Sequence, residues 1–164
     1  MIRSSSKGYT LIELLAGISI MGIVFGVGLV GYREFSRRQE LDGALKKLRS
    51  AVQETQQLAL NGEKPDNVFC NNPNRLIDYR ITFNLPVSYT ISANCTGGAV
   101  VTTMATLSES DDITLTRPSP NPIAFKILGA GTNIASGGTA VISLSQLSTG
   151  KNISLTIDYS GNIK

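Results

Sequence analysis

Residues 7–15 read Lys-Gly-Tyr-Thr-Leu-Ile-Glu-Leu-Leu, and they open a longer run from Tyr9 to Tyr32, YTLIELLAGISIMGIVFGVGLVGY, in which Glu13 is the only charged side chain. About 20 apolar residues suffice for a helix to cross a bilayer, so one membrane span is expected over 9–32. An ionised carboxylate inside such a span costs roughly 2.5–3.5 kcal/mol on insertion scales. Glu13 therefore needs either a compensating partner or a place near enough to the membrane edge to snorkel into the headgroups. An ordinary secretory signal fits poorly, because it has a shorter apolar region followed by a small-residue cleavage site. A plain signal anchor is the bland alternative.

The rest of the composition narrows the function. The chain has 164 residues and a formal charge of +3, with no histidine and no tryptophan. Arg3 and Lys7 precede the apolar run, so the remainder is close to neutral and calls for no acidic polymer as partner. The commonest general base and zinc ligand is missing, and no serine or threonine has a suitable acid–base partner in sequence. We expect no enzyme, no cofactor and no metal site.

Within the span, Gly17, Gly22, Gly26, Gly28 and Gly31 are dense for a helix. Gly22 and Gly26 form a small-xxx-small pair that allows close backbone approach between helices. After Tyr32 the chain becomes amphipathic, with Leu41, Leu45, Leu48, Val52 and Ala59 recurring at three- and four-residue spacing. Gly62 and Pro65 then supply a left-handed stop and a barrier to resumption. Span and stripe together predict one helix of about 50 residues, roughly 80 Å long. Arg33, Arg37, Arg38, Lys46, Lys47 and Arg49 alternate with Glu34, Glu40 and Asp42, which favours a solvated face with local ion pairs over a nucleic-acid stripe.

Beyond Pro65 the period changes to that of strands. Asp78–Phe83 and Val87–Ile91 flank Asn84-Leu85-Pro86 as a hairpin. Further strands are expected at Ala99–Leu107, Ile113–Thr116, Ile123–Leu128, Ala140–Leu144 and Ile153–Tyr159, separated by Gly-, Ser-, Pro- and Asn-rich loops. They read as a single antiparallel sheet. Cys70 and Cys95 are the only cysteines, and an even count in an exported domain favours a bridge, with two buried thiols as the alternative. Glu109, Asp111 and Asp112 cluster in SESDD, but their spacing matches no EF-hand loop and a polar turn is the better reading.

The stretch Lys7-Gly8-Tyr9-Thr10-Leu11-Ile12-Glu13-Leu14-Leu15 resembles the class III leader junction of type IV prepilins and type II secretion pseudopilins. That resemblance implies cleavage after Gly8, N-methylation of the new terminus Tyr9, and a pairing of Glu13 with the N-terminal amine of a neighbouring subunit. Tyr9 stands where phenylalanine is usual. The implied fold is α+β and pilin-like, a long N-terminal helix, membrane-spanning in its first half, packed on a C-terminal antiparallel β-domain. The implied organisation is a leader (1–8), a transmembrane and filament-core helix (9–32), its amphipathic continuation (33–62) and an exported β-rich region (63–164). Implied partners are other pilin or pseudopilin subunits, the prepilin peptidase and methyltransferase, and an inner-membrane assembly platform. The expected location is the cytoplasmic membrane in a single pass, then the pilus or pseudopilus. Val30 stands where many major pilins have proline, which points to a minor subunit. The tail Ile157–Lys164 looks like the end of GspH/FimT-type minor subunits, some of which bind DNA through arginines in the last turn. Here Asn162 and Lys164 flank Ile163, so DNA as a partner, or a tip or competence role, is the lesser alternative.

Overall fold

A computed structural model describes residues 10–164, apart from the side chains of residues 27–30. Arg3, Lys7, Gly8 and Tyr9 therefore lie outside the described residues, as do the surroundings of Gly28 and the side chain of Val30. The first element is α1 (Leu11–Asn61), followed by seven strands: β1 (Leu76–Asn84), β2 (Ser88–Cys95), β3 (Gly98–Thr106), β4 (Ile113–Thr116), β5 (Ile123–Lys126), β6 (Thr139–Gln146) and β7 (Asn152–Asp158). The chain divides into two compact units, one ending at Gln39 and the other running from Glu40 to Lys164.

In the unit that ends at Gln39, the described residues are helical, with large apolar side chains such as Leu11, Ile12, Ile23 and Phe25 exposed. Apart from Glu13, the run from Thr10 to Gly31 has no charged side chain and is rich in glycine. Mean hydropathy reaches 2.3 in its best window, enough by length and composition to cross a membrane.

In the unit Glu40–Lys164, the helical part buries Leu41, Ala44, Leu48, Ala51, Val52, Thr55 and Ala59. This is the stripe expected from the leucine spacing, widened by small residues that let the sheet approach. Leu48 and Val52 have no exposed surface, and burial of each contributes roughly 1.5–3 kcal/mol relative to exposure. Thr55 is the polar exception, and its hydroxyl is satisfied by donating to the Ala51 carbonyl at 2.7 Å. The helix stops where glycine allows it. Gly62 has φ +61°, its amide donates to the Ala59 carbonyl, and the Glu63 amide donates to that of Leu58. These are the two bonds of a Schellman motif.

The strands form two antiparallel sheets, where the sequence suggested one. The larger has order β3-β2-β1-β5 and the smaller β4-β6-β7. The β1–β2 hairpin pairs Asn84 with Ser88 and Tyr79 with Ala93. Period-two alternation then places Tyr79, Ile81 and Phe83 of β1 and Tyr89, Ile91, Ala93 and Cys95 of β2 in the core. Ile113, Leu115, Ala140, Ile142, Leu144, Leu155 and Ile157 bring the second sheet into the same apolar cluster. Backbone joins the sheets at the hairpin turn, where the Pro86 carbonyl accepts from the amide of Leu115 in β4, while the Val87 carbonyl extends the β2–β3 ladder by accepting from the Leu107 amide. A strand of only four residues, β4, carries this junction, which explains why alternation alone did not reveal the division.

One strand is shorter than its apolar pattern suggests. The run Ile123–Leu128 leaves the sheet at Lys126 and turns through Ile127–Gly129, with Leu128 at φ +57°. The Lys126 amide bonds to the Gly131 carbonyl, so the following glycine loop folds back over the end of β5.

Candidate functional site

The N-terminal segment carries the residues of interest, and local chemistry fixes the start of its helix. The Thr10 amide donates to Glu13 Oε2 at 3.0 Å, the Thr10 hydroxyl donates to the same oxygen at 2.9 Å, and the Glu13 amide reaches the Thr10 hydroxyl at 3.4 Å. This reciprocal Thr-x-x-Glu arrangement is a capping box, satisfying otherwise orphaned helix donors. The negative carboxylate also lies at the positive end of the helix dipole. The Thr10-x-x-Glu13 spacing is visible in the sequence and needs no distant contact to form the cap. Further along, the Ser19 hydroxyl donates to the Leu15 carbonyl at 2.8 Å, so that polar group asks nothing of its apolar surroundings.

Gly22 and Gly26 lie on α1 with no atom within 4 Å of the place a Cβ would occupy. Their backbone surface is open to close approach. At the end of the apolar run stand Tyr32, Arg33, Phe35, Arg37 and Arg38, all exposed. Arg38 is paired with Glu34 one turn earlier. The alternation of charge thus produces at least one of the expected local ion pairs.

The cysteines are joined. Cys70 and Cys95 form a disulfide with Cα atoms 5.3 Å apart, and both residues are buried. The bridge ties the loop before β1 to the end of β2. Polar contacts fix the same loop independently: the Arg75 amide donates to the Thr96 hydroxyl, the Thr96 amide to the Arg75 carbonyl, and Lys64 Nζ to the Asn74 carbonyl. Gly97 has the Asn74 side chain and the Phe69 carbonyl where a Cβ would project, at 2.4 and 2.7 Å. Only glycine admits so close an approach.

The acidic cluster Ser108–Asp112 folds as a hydrogen-bonded turn. Asp112 accepts from the amide and hydroxyl of Ser148, Glu109 accepts from the Thr106 hydroxyl, and the Ser108 hydroxyl donates to Glu40. The Asp112 carboxylate thus joins this turn to the loop after β6. Among the described residues no three potential ligands converge to hold a metal ion.

At the C-terminus, Asp158 organises the last turn. Its carboxylate accepts from the amides of Ser160 and Asn162 and from the Asn162 side chain. The Asn162 donors, first side chain and then backbone, hold the Asp158 carboxyl below its ordinary range, with smaller help from Ser160 and Lys164. Asn162 is therefore occupied within the chain, and the backbone of Lys164 pairs with Thr156. Beside this turn is a cleft of about 370 Å³ lined by Lys126, Thr132, Ile134, Ser136 and Tyr159 together with the glycine loop 129–131. The sequence offered no signal for it, since the cleft is lined by the loop that begins where β5 ends at Lys126.

Comparison with known proteins bears on the first of these regions. The family described as "Prokaryotic N-terminal methylation motif" matches residues 3–29, a range that includes Gly8, Tyr9 and Glu13. The chain is also similar to a fimbrial protein of Neisseria meningitidis serogroup A / serotype 4A, at 29% identity over 115 residues. The aligned region covers 68% of this chain and 63% of that protein's length. No solved structure matches. The chain thus carries the N-terminal methylation motif on a pilin-like α+β fold and is distantly similar to a fimbrial protein.

Proposed function

We propose that this chain is a structural subunit, of the minor class, of a type IV pilus or a type II secretion pseudopilus. The leader is cut after Gly8 by the prepilin peptidase, Tyr9 becomes the methylated N-terminus, and the helix waits in the cytoplasmic membrane with the β-domain outside. Assembly draws it into a filament through α1. The observation that carries this reading is the coincidence of the methylation motif over residues 3–29 with an apolar helical run whose one acid, Glu13, lies within the first turn of α1.

In this reading Glu13 exchanges partners. In the lone subunit its charge is met by the Thr10 amide and hydroxyl. In the filament a neighbour's terminal amine offers a full opposite charge, neutralising two groups that lipid disfavours. Gly22 and Gly26 supply open backbone for the packing of neighbouring helices. A DNA-binding tip or competence role finds less support, because the final turn spends Asn162 on Asp158 and contains no arginine.

Glu13→Leu and Glu13→Gln test the proposal. Both variants should enter the membrane at least as well as the natural chain, by fractionation, and both should be depleted from shear-released filaments. Gly8→Ala should leave the leader uncut, read by mass spectrometry of the membrane form. Filaments containing wild-type amounts of both Glu13 variants would refute the assigned role of that residue.

A further inference from the structure

The cleft beside the last turn of the chain has no part in filament assembly through α1, and its walls are held by backbone bonds. The Lys126 amide donates to the Gly131 carbonyl at 2.9 Å, and the Tyr159 carbonyl accepts from both the amide and the hydroxyl of Thr132 at 3.0 Å. The loop between these bonds carries Leu128 at φ +57° with its side chain 79% exposed. A leucine gains no burial there to offset a left-handed backbone, and residues held in such conformations gather at ligand sites. The cleft of about 370 Å³ adjoins a hollow of about 190 Å³ beside Gln56, the two sharing Lys126, Gly129, Gly131 and Ser160. A preformed space of this size suits a small ligand.

The polar groups around it are uncommitted. Lys126 stands opposite Asp78 in the β1–β5 register, but the Asp78 carboxylate is taken by Arg80 at 2.7 and 3.3 Å and by Asn94 at 3.0 Å. Among the described residues no carboxylate forms an ion pair with Lys126. Ser136 and Ser160 are exposed on the same cleft, and among the described residues neither hydroxyl is held by a hydrogen bond. The lining thus offers one positive charge with several neutral hydroxyl groups. That matches a ligand with one negative charge and several hydroxyls, whereas a dianionic phosphate would leave a charge unmet.

We propose that this cleft binds an acidic sugar, a single ring bearing a carboxylate. Lys126 receives the carboxylate, Ser136 and Ser160 bond the ring hydroxyls, and Tyr159, 48% exposed, offers its aromatic face to the apolar side of the ring.

Glucuronate is the probe, titrated into the full isotope-labelled chain in a detergent without sugar groups and followed by amide chemical shifts. A ligand of about 13 non-hydrogen atoms binds at about 1 mM or below at ordinary efficiency. Shifts should saturate in that range, be confined to Gln56, 126–136 and 159–161, and weaken in high salt. Neutral glucose should bind roughly tenfold more weakly, and so should acetate, which has the charge without the hydroxyls. Lys126→Gln should weaken glucuronate roughly tenfold and leave glucose unchanged, a split that misfolding would not produce. Lys126→Arg should keep most of the affinity, and Ser136→Ala with Ser160→Ala should weaken both sugars. The proposal is overturned by an absence of shifts at about 20 mM glucuronate, or by acetate, inorganic phosphate or glucose binding as well as glucuronate does. Unchanged glucuronate affinity in Lys126→Gln overturns it as well.

Discussion

Removing the Cys70–Cys95 bridge should destabilise the β-containing unit without unfolding it. The cysteines are 25 residues apart in sequence, and closing a loop of that size in the unfolded chain accounts for about 3.5 kcal/mol at 25 °C in the chain-entropy treatment. The unit Glu40–Lys164 has roughly 125 residues, for which the unfolding entropy near 60 °C is about 0.26 kcal/mol per kelvin. The expected fall in Tm is then about 13 °C. Total stability of such a unit is typically ~5–15 kcal/mol, so the fold should survive. The loop 64–75 also keeps its contacts to Thr96 and its internal bond from Lys64 to the Asn74 carbonyl. Two preparations separate entropy from packing. Cys70→Ala/Cys95→Ala loses the cross-link and two buried sulfurs, whereas natural protein reduced in denaturant and refolded under reductant loses only the cross-link. Tyr79 and Tyr89 are buried in the larger sheet, so near-ultraviolet circular dichroism of the full chain in detergent follows this unit. Both preparations should melt well below the oxidised protein, the alanine variant slightly lower. If both melt within about 3 °C of it, loop closure is not what the bridge contributes and the calculation fails.

Other consequences can be checked on the same chain. Gly97→Ala forces a Cβ into the Phe69 carbonyl and the Asn74 side chain and should cost about 1–3 kcal/mol in urea denaturation, as overpacking does. Tyr79 donates its hydroxyl to the Glu63 carbonyl at 2.7 Å, so Tyr79→Phe should lose about 1 kcal/mol. Burial, and then the charge of Glu63, raise the Tyr79 pKa above its ordinary value of 10.0. The neutral phenol is the stabilised form, so its contribution is complete below pH 10.0 and fades as pH rises through the raised folded value. Asp158 behaves oppositely: its folded pKa is depressed, so its contribution is complete above the ordinary 3.8 and disappears as pH falls below that, through the folded value. Asp158→Asn should flatten this acid limb in a titration of Tm, and an unchanged limb would remove Asp158 from the account.

Features that depend on near neighbours along the chain are legible in the sequence. The apolar run and its single acid, the leucine stripe, the helix stop at Gly62 and the existence of all seven strands are local patterns, set by hydrophobic period and turn chemistry. Thr10 and Glu13 belong with them, since a capping box spans only four residues. What tertiary structure decided involves residues distant in sequence. The two sheets meet where the Pro86 carbonyl accepts from the Leu115 amide, a pairing of residues 29 positions apart. The joining of Cys70 to Cys95 requires the loop to lie across the β2–β3 turn, which Gly97 permits by having no side chain. The early end of β5 reflects competition that no local period records. The apolar run Ile123–Leu128 could continue as a strand, but the Lys126 amide is taken by the Gly131 carbonyl and Leu128 turns outward with φ +57°. Propensity weighs each residue against its neighbours in the chain, whereas a strand end is fixed by which backbone groups remain to be paired, and that is known only when the distant segments have met.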